Sequence, residues 1–195
     1  MTSVSALNHI HKTGLFGNHE NKNEENLLKV SEIKNLLIVQ IVQYKNSTVS
    51  LESANIHNLK LKNEPLSVVS NNHTRILWNG PKNWLLVSTK KDLLKTIAEV
   101  FIESDFAVTD LSHSRAIIEI EGQDVKEVLK KGCPFNFNIL EKNNSINSTY
   151  NGIAFTVDML ENNPYKVRLF ALRSFGESFY HSITDSCLEY GYKTI

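Results

Sequence analysis

The sequence predicts an α+β fold: a tandem pair of split βαβ (ferredoxin-like) units whose antiparallel sheets are covered by helices. Three observations lead there. Short runs alternate apolar and polar residues with the period of a half-buried strand. These runs and helical stripes come in the order strand, helix, strand, strand, helix, and the order occurs twice along the chain. Each half also carries a proline in its central hairpin, Pro81 and Pro164. Self-similarity of this kind is the mark of a duplicated supersecondary unit. About four amphipathic helices with about seven or eight strands imply helices packed on antiparallel sheets.

Residues 1–28 show no periodicity and read as a flexible N-terminal arm. The remainder, 29–195, reads as one domain of two repeats, at about 35–111 and 114–195. Leu36 to Gln43, rich in Leu, Ile and Val, is the first strand, and a diluted apolar face gives a helix near Ser50 to Leu59. Arg75 to Asn79 and Asn83 to Ser88 are strands joined by Asn79-Gly80-Pro81-Lys82, which has turn chemistry. Thr89 with Asp92 resembles a capping box, and Leu93, Leu94, Ile97, Val100 and Phe101 give the following helix its apolar stripe. Phe106 to Leu111 closes the first repeat as a strand.

The second repeat opens with the strand Arg115 to Glu121, broken by Gly122, and the helix Gln123 to Lys131, with Gly132 in the position of a C-cap. An Asn-rich connection leads to the strand Ala154 to Leu160, the turn Asn162-Asn163-Pro164 and the strand Tyr165 to Leu172. Ser174 with Glu177 again has capping-box spacing. Phe179, Tyr180, Ile183, Cys187 and Leu188 form the stripe of the last helix, which Gly191 ends. Tyr192 to Ile195 has room for a closing strand.

Composition excludes several function classes. Lys plus Arg and Asp plus Glu both number 21, so the net charge is zero and no concentrated basic surface points to nucleic acid or an anionic membrane. The pairs Lys90-Lys91 and Lys130-Lys131 sit at ends of predicted helices, where solvation explains them. No apolar run approaches the roughly 20 residues that span a bilayer, and Met1 to Glu25 lacks the apolar core of a signal peptide, so a cytoplasmic location is expected. In that compartment Cys133 and Cys187 are expected as buried small apolar residues, and Asn46, Asn72 and Asn147 as chance glycosylation sequons. The 8 glycines are scattered singly, without a dinucleotide-binding turn or phosphate cradle. No His or Cys cluster has metal-ligand spacing, so no metal site is expected. His9 and His11 read as surface residues.

The best polar constellation is Asp110, His113 and Arg115, at the junction of two predicted strands. Asp110 could accept from the amide edge of a pterin, with His113 or Arg115 near for a carboxylate. Equally, Asp and Ser at such a junction satisfy local N–H groups and fix the turn. Trp78 and Trp84 flank the first hairpin turn. One suits the core and the other a partner surface, although core packing serves both. Arg173 precedes a helix N-terminus, where a cation needs a compensating anion: Glu177, or an acid on a neighbouring subunit.

Four segments together carry a resemblance: Thr109 to Gly122, Leu77-Trp78-Asn79-Gly80-Pro81-Lys82-Asn83-Trp84-Leu85-Leu86, Lys131-Gly132-Cys133-Pro134 and Leu172-Arg173-Ser174-Phe175. In that spacing, over roughly Leu36 to Tyr192, the chain resembles the gamma subunits of heterotetrameric sarcosine oxidases, within the folate-binding aminomethyltransferase-like superfamily. The resemblance implies the fold of the folate-binding domain of aminomethyltransferases and no catalytic residue on this chain. It implies a complex that oxidatively demethylates sarcosine to glycine and passes the methyl carbon to tetrahydrofolate. Alpha and beta subunits would carry NAD, FAD and FMN, and a delta subunit would carry zinc. The gamma chain would hold no cofactor alone and would buttress the alpha subunit. Two alternatives stay open. One is a free-standing folate-binding one-carbon transfer protein, although full-length enzymes of that type are nearly twice as long. The other is a gamma-type subunit of an N-methylglutamate or dimethylglycine dehydrogenase.

Overall fold

The computed structural model describes residues 4–51 and 53–195, so the first three residues of the expected arm and Glu52 of the expected first helix lie outside it. In chain order its elements are β1 (Gly14–Phe16), β2 (Leu28–Glu32), β3 (Leu37–Gln43), β4 (Asn55–Ile56), β5 (Leu59–Lys60), β6 (Val68–Ser70), β7 (Thr74–Gly80), β8 (Asn83–Ser88), α1 (Leu93–Val100), β9 (Phe106–Asp110), β10 (Arg115–Glu121), α2 (Val125–Gly132), β11 (Ser145–Tyr150), β12 (Ile153–Asn162), β13 (Tyr165–Leu172), α3 (Gly176–Cys187) and β14 (Tyr192–Thr194). The fold is α+β, mostly sheet with few helices. It divides into two units: residues 1–34, 114–142 and 147–195 form the first, and 35–113 with 143–146 the second.

The second unit is built on a five-stranded antiparallel sheet in the order β6-β7-β8-β3-β9. Alternation in β3 sends Leu37, Val39 and Ile41 to one face, where they pack with Ile76, Trp84 and Leu86 and with Leu93, Ile97 and Phe101 of the α1 region. The helix expected near Ser50 to Leu59 is instead the β4–β5 hairpin, with Ile56 opposite Leu59. His57 and Asn58 stand at φ 50° and 66°, a left-handed pair that closes a tight hairpin and that no α-helix accommodates. Ala54, Ile56, Leu59 and Leu61 still reach the core, which is why a helical stripe was legible there. The Thr89–Asp92 capping box does not form. Asp92 is helical and makes no capping bond, while the Ser88 hydroxyl accepts from Lys90 N at 3.1 Å.

The first unit holds a seven-stranded sheet in the order β1-β14-β2-β10-β13-β12-β11. β10 pairs β13 from Arg115↔Leu172 to Glu121↔Lys166. Ala116, Ile118 and Ile120 are buried, as are Val167, Leu169, Phe155, Val157 and Met159 on neighbouring strands, with Val125, Val128 and Leu129 of α2 and Phe179, Tyr180, Ile183 and Cys187 of α3. Where the sequence suggested a flexible arm, residues 4–28 are built into this unit. Leu7 is fully buried, β1 pairs β14 with Phe16 stacked on Tyr192, and β2, beginning at Leu28, lies between β14 and β10. These strands are too short and polar to announce themselves, and their pairing energy comes from residues far along the chain. The Asn-rich connection likewise contains β11.

Two glycines in this unit answer to space rather than to backbone angle. Gly132 is the last residue of α2, not a left-handed cap, and a Cβ there would stand 2.6 Å from the Tyr150 ring. Gly176 begins α3 where a Cβ would stand 3.0 Å from Cβ of Ala116. A 3₁₀ turn, Arg173–Phe175, precedes it, so the expected Ser174–Glu177 capping box is absent and α3 has no side-chain cap. Leu188 lies past the helix and is 41% exposed, outside the buried stripe.

Candidate functional site

Asp110 ends β9 in the second unit. Its Oδ1 accepts from Ser112 N at 2.8 Å and Ser112 Oγ at 2.6 Å, while Ser112 Oγ accepts from Ile38 N at 3.0 Å. Leu111 N donates to Ile38 O at 2.7 Å. Asp and Ser therefore stitch the end of β9 to the start of β3. The carboxylate is exposed and one of its oxygens is engaged in the turn. His113 is exposed in the same unit.

Arg115 belongs to the first unit, at the start of β10. Its guanidinium contacts Ser114 O at 3.4 Å and Ser114 Oγ at 3.3 Å, and burial pulls its pKa below the ordinary value. Its ladder neighbour is Leu172, the residue before Arg173. Arg173 N donates to Ser114 O at 2.9 Å, and its guanidinium donates to Val4 O. Glu177, the acid expected beside it, faces His181 at 3.9 Å instead. Leu172 is 43% exposed and Phe175 49%.

The two tryptophans separate. Trp84 is fully buried in the second unit's core, with Nε1 donating to Lys62 O at 2.6 Å, so it offers no surface. Trp78 is half-buried and donates to Asn63 Oδ1 at 3.3 Å. Both free cysteines are buried. Burial pushes the Cys187 thiol up to about 12, far from a nucleophile's range. Among the described residues no group of three His, Cys, Asp or Glu side chains could hold a metal, and no helix is long and apolar enough to cross a membrane.

Sequence reasoning missed a charged ladder across β2, β10 and β13. Lys29 pairs with Glu121 at 2.6 Å, Lys166 bridges Glu121 at 3.2 Å and Glu119 at 2.9 Å, and Arg168 holds Glu119 at 2.8 Å. The Lys29 hydrogen bond holds Glu121 below the usual carboxylate range. Glu119, Glu121, Lys166 and Arg168 were visible as strand residues, and Lys29 was not. Their partnership required the register, which sets Glu119 opposite Arg168 and Glu121 opposite Lys166. The ladder binds strand to strand.

No protein-family model matches the chain. Among curated proteins it is 36% identical over 62 residues to sarcosine oxidase subunit gamma of Corynebacterium sp. (strain U-96), a match spanning 31% of this chain and 30% of that protein. Among solved structures it resembles a chain of the heterotetrameric sarcosine oxidase from Corynebacterium sp. U-96 in complex with pyrrole 2-carboxylate. The TM-score is 0.81 at 22% identity, covering 96% of this chain and 95% of that one. It also resembles the glycine cleavage system aminomethyltransferase T from Bartonella henselae, with TM-score 0.61 at 10% identity over 87% of this chain. It spans 48% of that enzyme, about half its length. The chain thus resembles the sarcosine oxidase gamma subunit in sequence over a third of its length, and has the fold of a heterotetrameric sarcosine oxidase chain over nearly all of it.

Proposed function

We propose that this chain is a non-catalytic gamma subunit of a heterotetrameric sarcosine oxidase complex, which demethylates sarcosine to glycine with one-carbon transfer to tetrahydrofolate. The observation that carries the reading is the likeness in fold to a chain of such an oxidase over 95% of that chain's length, joined to the 36% identity with a gamma subunit. In this reading FAD, FMN, NAD and tetrahydrofolate sit on other subunits, with alpha the main contact and beta and delta completing the assembly. The site residues are compatible with it: one carboxylate oxygen of Asp110 is engaged in its turn, and Arg173 lies beside the exposed Leu172 and Phe175. Trp78 remains a candidate for a partner surface.

The strand orders support a duplicated split βαβ unit. Counting only the four strands that close each repeat, β7-β8-β3-β9 and β12-β13-β10-β14 both run second, third, first, fourth, with β2 inserted before β14. A folate-enzyme-like domain of two repeats follows from that reading.

Co-expression with the neighbouring oxidase subunits, and purification through a tag on this chain alone, tests the proposal. A yellow complex that co-elutes and makes hydrogen peroxide from sarcosine is the expected result. Faster turnover of N-methylglutamate or dimethylglycine would reassign the substrate. A colourless chain that elutes alone yet binds tetrahydrofolate would overturn the subunit role.

A further inference from the structure

We propose that Val4, Leu172, Arg173 and Phe175, with Arg115 beside them, form the docking surface for a partner-subunit segment that presents a carboxylate next to an apolar side chain. The inference deepens the subunit reading and rests on it. Three large apolar side chains are exposed here, Val4 by 64%, Phe175 by 49% and Leu172 by 43%. They are held together by the first unit's own structure. Arg173 anchors Val4 through its carbonyl, Leu172 lies beside Arg115 in the β10–β13 ladder, and a Cβ on Gly176 would stand 3.3 Å from Ala6 and 3.6 Å from Leu7. The turn and the N-terminal segment thus present one surface. Exposed apolar groups concentrated in this way mark interaction sites.

Charge says what covers it. Arg115 and Arg173 make no ion pair among the described residues; both bond only to neutral oxygens. The nearest acid to each along the chain is engaged elsewhere: Glu119 by Lys166 at 2.9 Å and Arg168 at 2.8 Å, and Glu177 toward His181 at 3.9 Å. A half-buried guanidinium without an anion is costly, and a carboxylate met by its fork satisfies both groups. Arg and aromatic side chains are also the residues on which interface energy concentrates. A second copy of this chain fits poorly. In a two-fold interface the patch meets itself, setting Arg173 and Arg115 against like charges.

The test uses the tagged co-expressed complex. Arg173→Glu and, separately, Phe175→Ala are expected to weaken association about tenfold or more, with circular dichroism and urea midpoint of the isolated chain unchanged. Amides of residues 172–176 in the unsubstituted complex are expected to exchange more slowly than in the chain alone. Wild-type co-elution by both variants, or equal exchange in both states, overturns the docking surface while leaving the subunit reading intact. If Arg173→Glu abolishes a homodimer of the isolated chain and spares the heterocomplex, the occupant is a second copy and the proposal fails. If the unsubstituted chain captures no oxidase subunits, the subunit reading itself falls.

Discussion

Gly132→Ala tests why the Lys131-Gly132-Cys133-Pro134 segment has a glycine inside a helix end. The new Cβ would lie 2.6 Å from Tyr150 Cε1 and Cζ and 2.8 Å from Cδ1. Carbon atoms meet comfortably at about 3.5–4.0 Å, so the ring or the helix end must retreat by roughly 1 Å. The ring has little freedom to do so. Its hydroxyl lies within hydrogen-bond distance of two groups, 2.9 Å from Val128 O and 2.6 Å from Ser186 Oγ, which hold the ring in place. Phe155 and Phe179 flank it at centroid distances of 5.9 and 6.2 Å. Overpacking of this kind costs about 1–3 kcal/mol, and alanine's helical advantage, reduced at a last residue, returns about 0.5 kcal/mol. The net loss is therefore about 0.5–2.5 kcal/mol, read in urea unfolding as a midpoint lowered by roughly 0.3–1.3 M at unchanged slope. In a Tyr150→Leu background the same substitution is expected to be neutral or stabilising, because the ring is gone. Equal losses in both backgrounds, or a Gly132→Ala chain as stable as the parent, would refute the steric explanation.

Two other expectations follow from the first unit. Arg168→Ala removes bonds of 3.2 and 2.8 Å from a Glu119 side chain that is 11% exposed, leaving Lys166 as its ion-pair partner; a loss of about 2–3 kcal/mol is expected, partly recovered by Glu119→Gln, as a double-mutant unfolding cycle would show. Cys187 is expected to resist an aromatic disulfide reagent at pH 8 until the chain unfolds, since the thiolate is the reactive form. Its folded pKa of about 12 lies above the ordinary 9.0, so its contribution to stability is complete below pH 9 and is lost as pH rises toward 12. Cys187→Ala should remove that share of the alkaline decline, and rapid labelling of the native chain would contradict the burial.

Apolar strands bounded by turn residues were legible because a short apolar run and its burial carry the same information. β3, β8, β10 and β13 stand within a residue of where the sequence puts them. The helical stripes of α1 and α3 were legible for the same reason, but their starts were not. Both expected capping boxes offered a local hydrogen bond, and tertiary contacts stand in its place: Thr89 N donates to His73 O at one helix, and Gly176 lies close to Ala116 at the other. The candidate site divides along the same line. Asp110 and Ser112 act between near neighbours, so their turn chemistry could be read from spacing. Arg173 could be recognised as a cation in need of a partner, yet Val4, 169 residues away, could not be named as that partner.

The sequence by itself determined the α+β class and the motifs that resemble a sarcosine oxidase gamma subunit, because periodicity, turn chemistry and residue spacing are local properties. Only the tertiary structure decided that residues 4–28 supply strand and core, that Glu119 meets Arg168, and that Val4, Leu172, Arg173 and Phe175 share a surface. Each of those depends on strand register and on contacts between residues far apart in the chain, where burial and desolvation decide which pairings hold, and no local pattern encodes them.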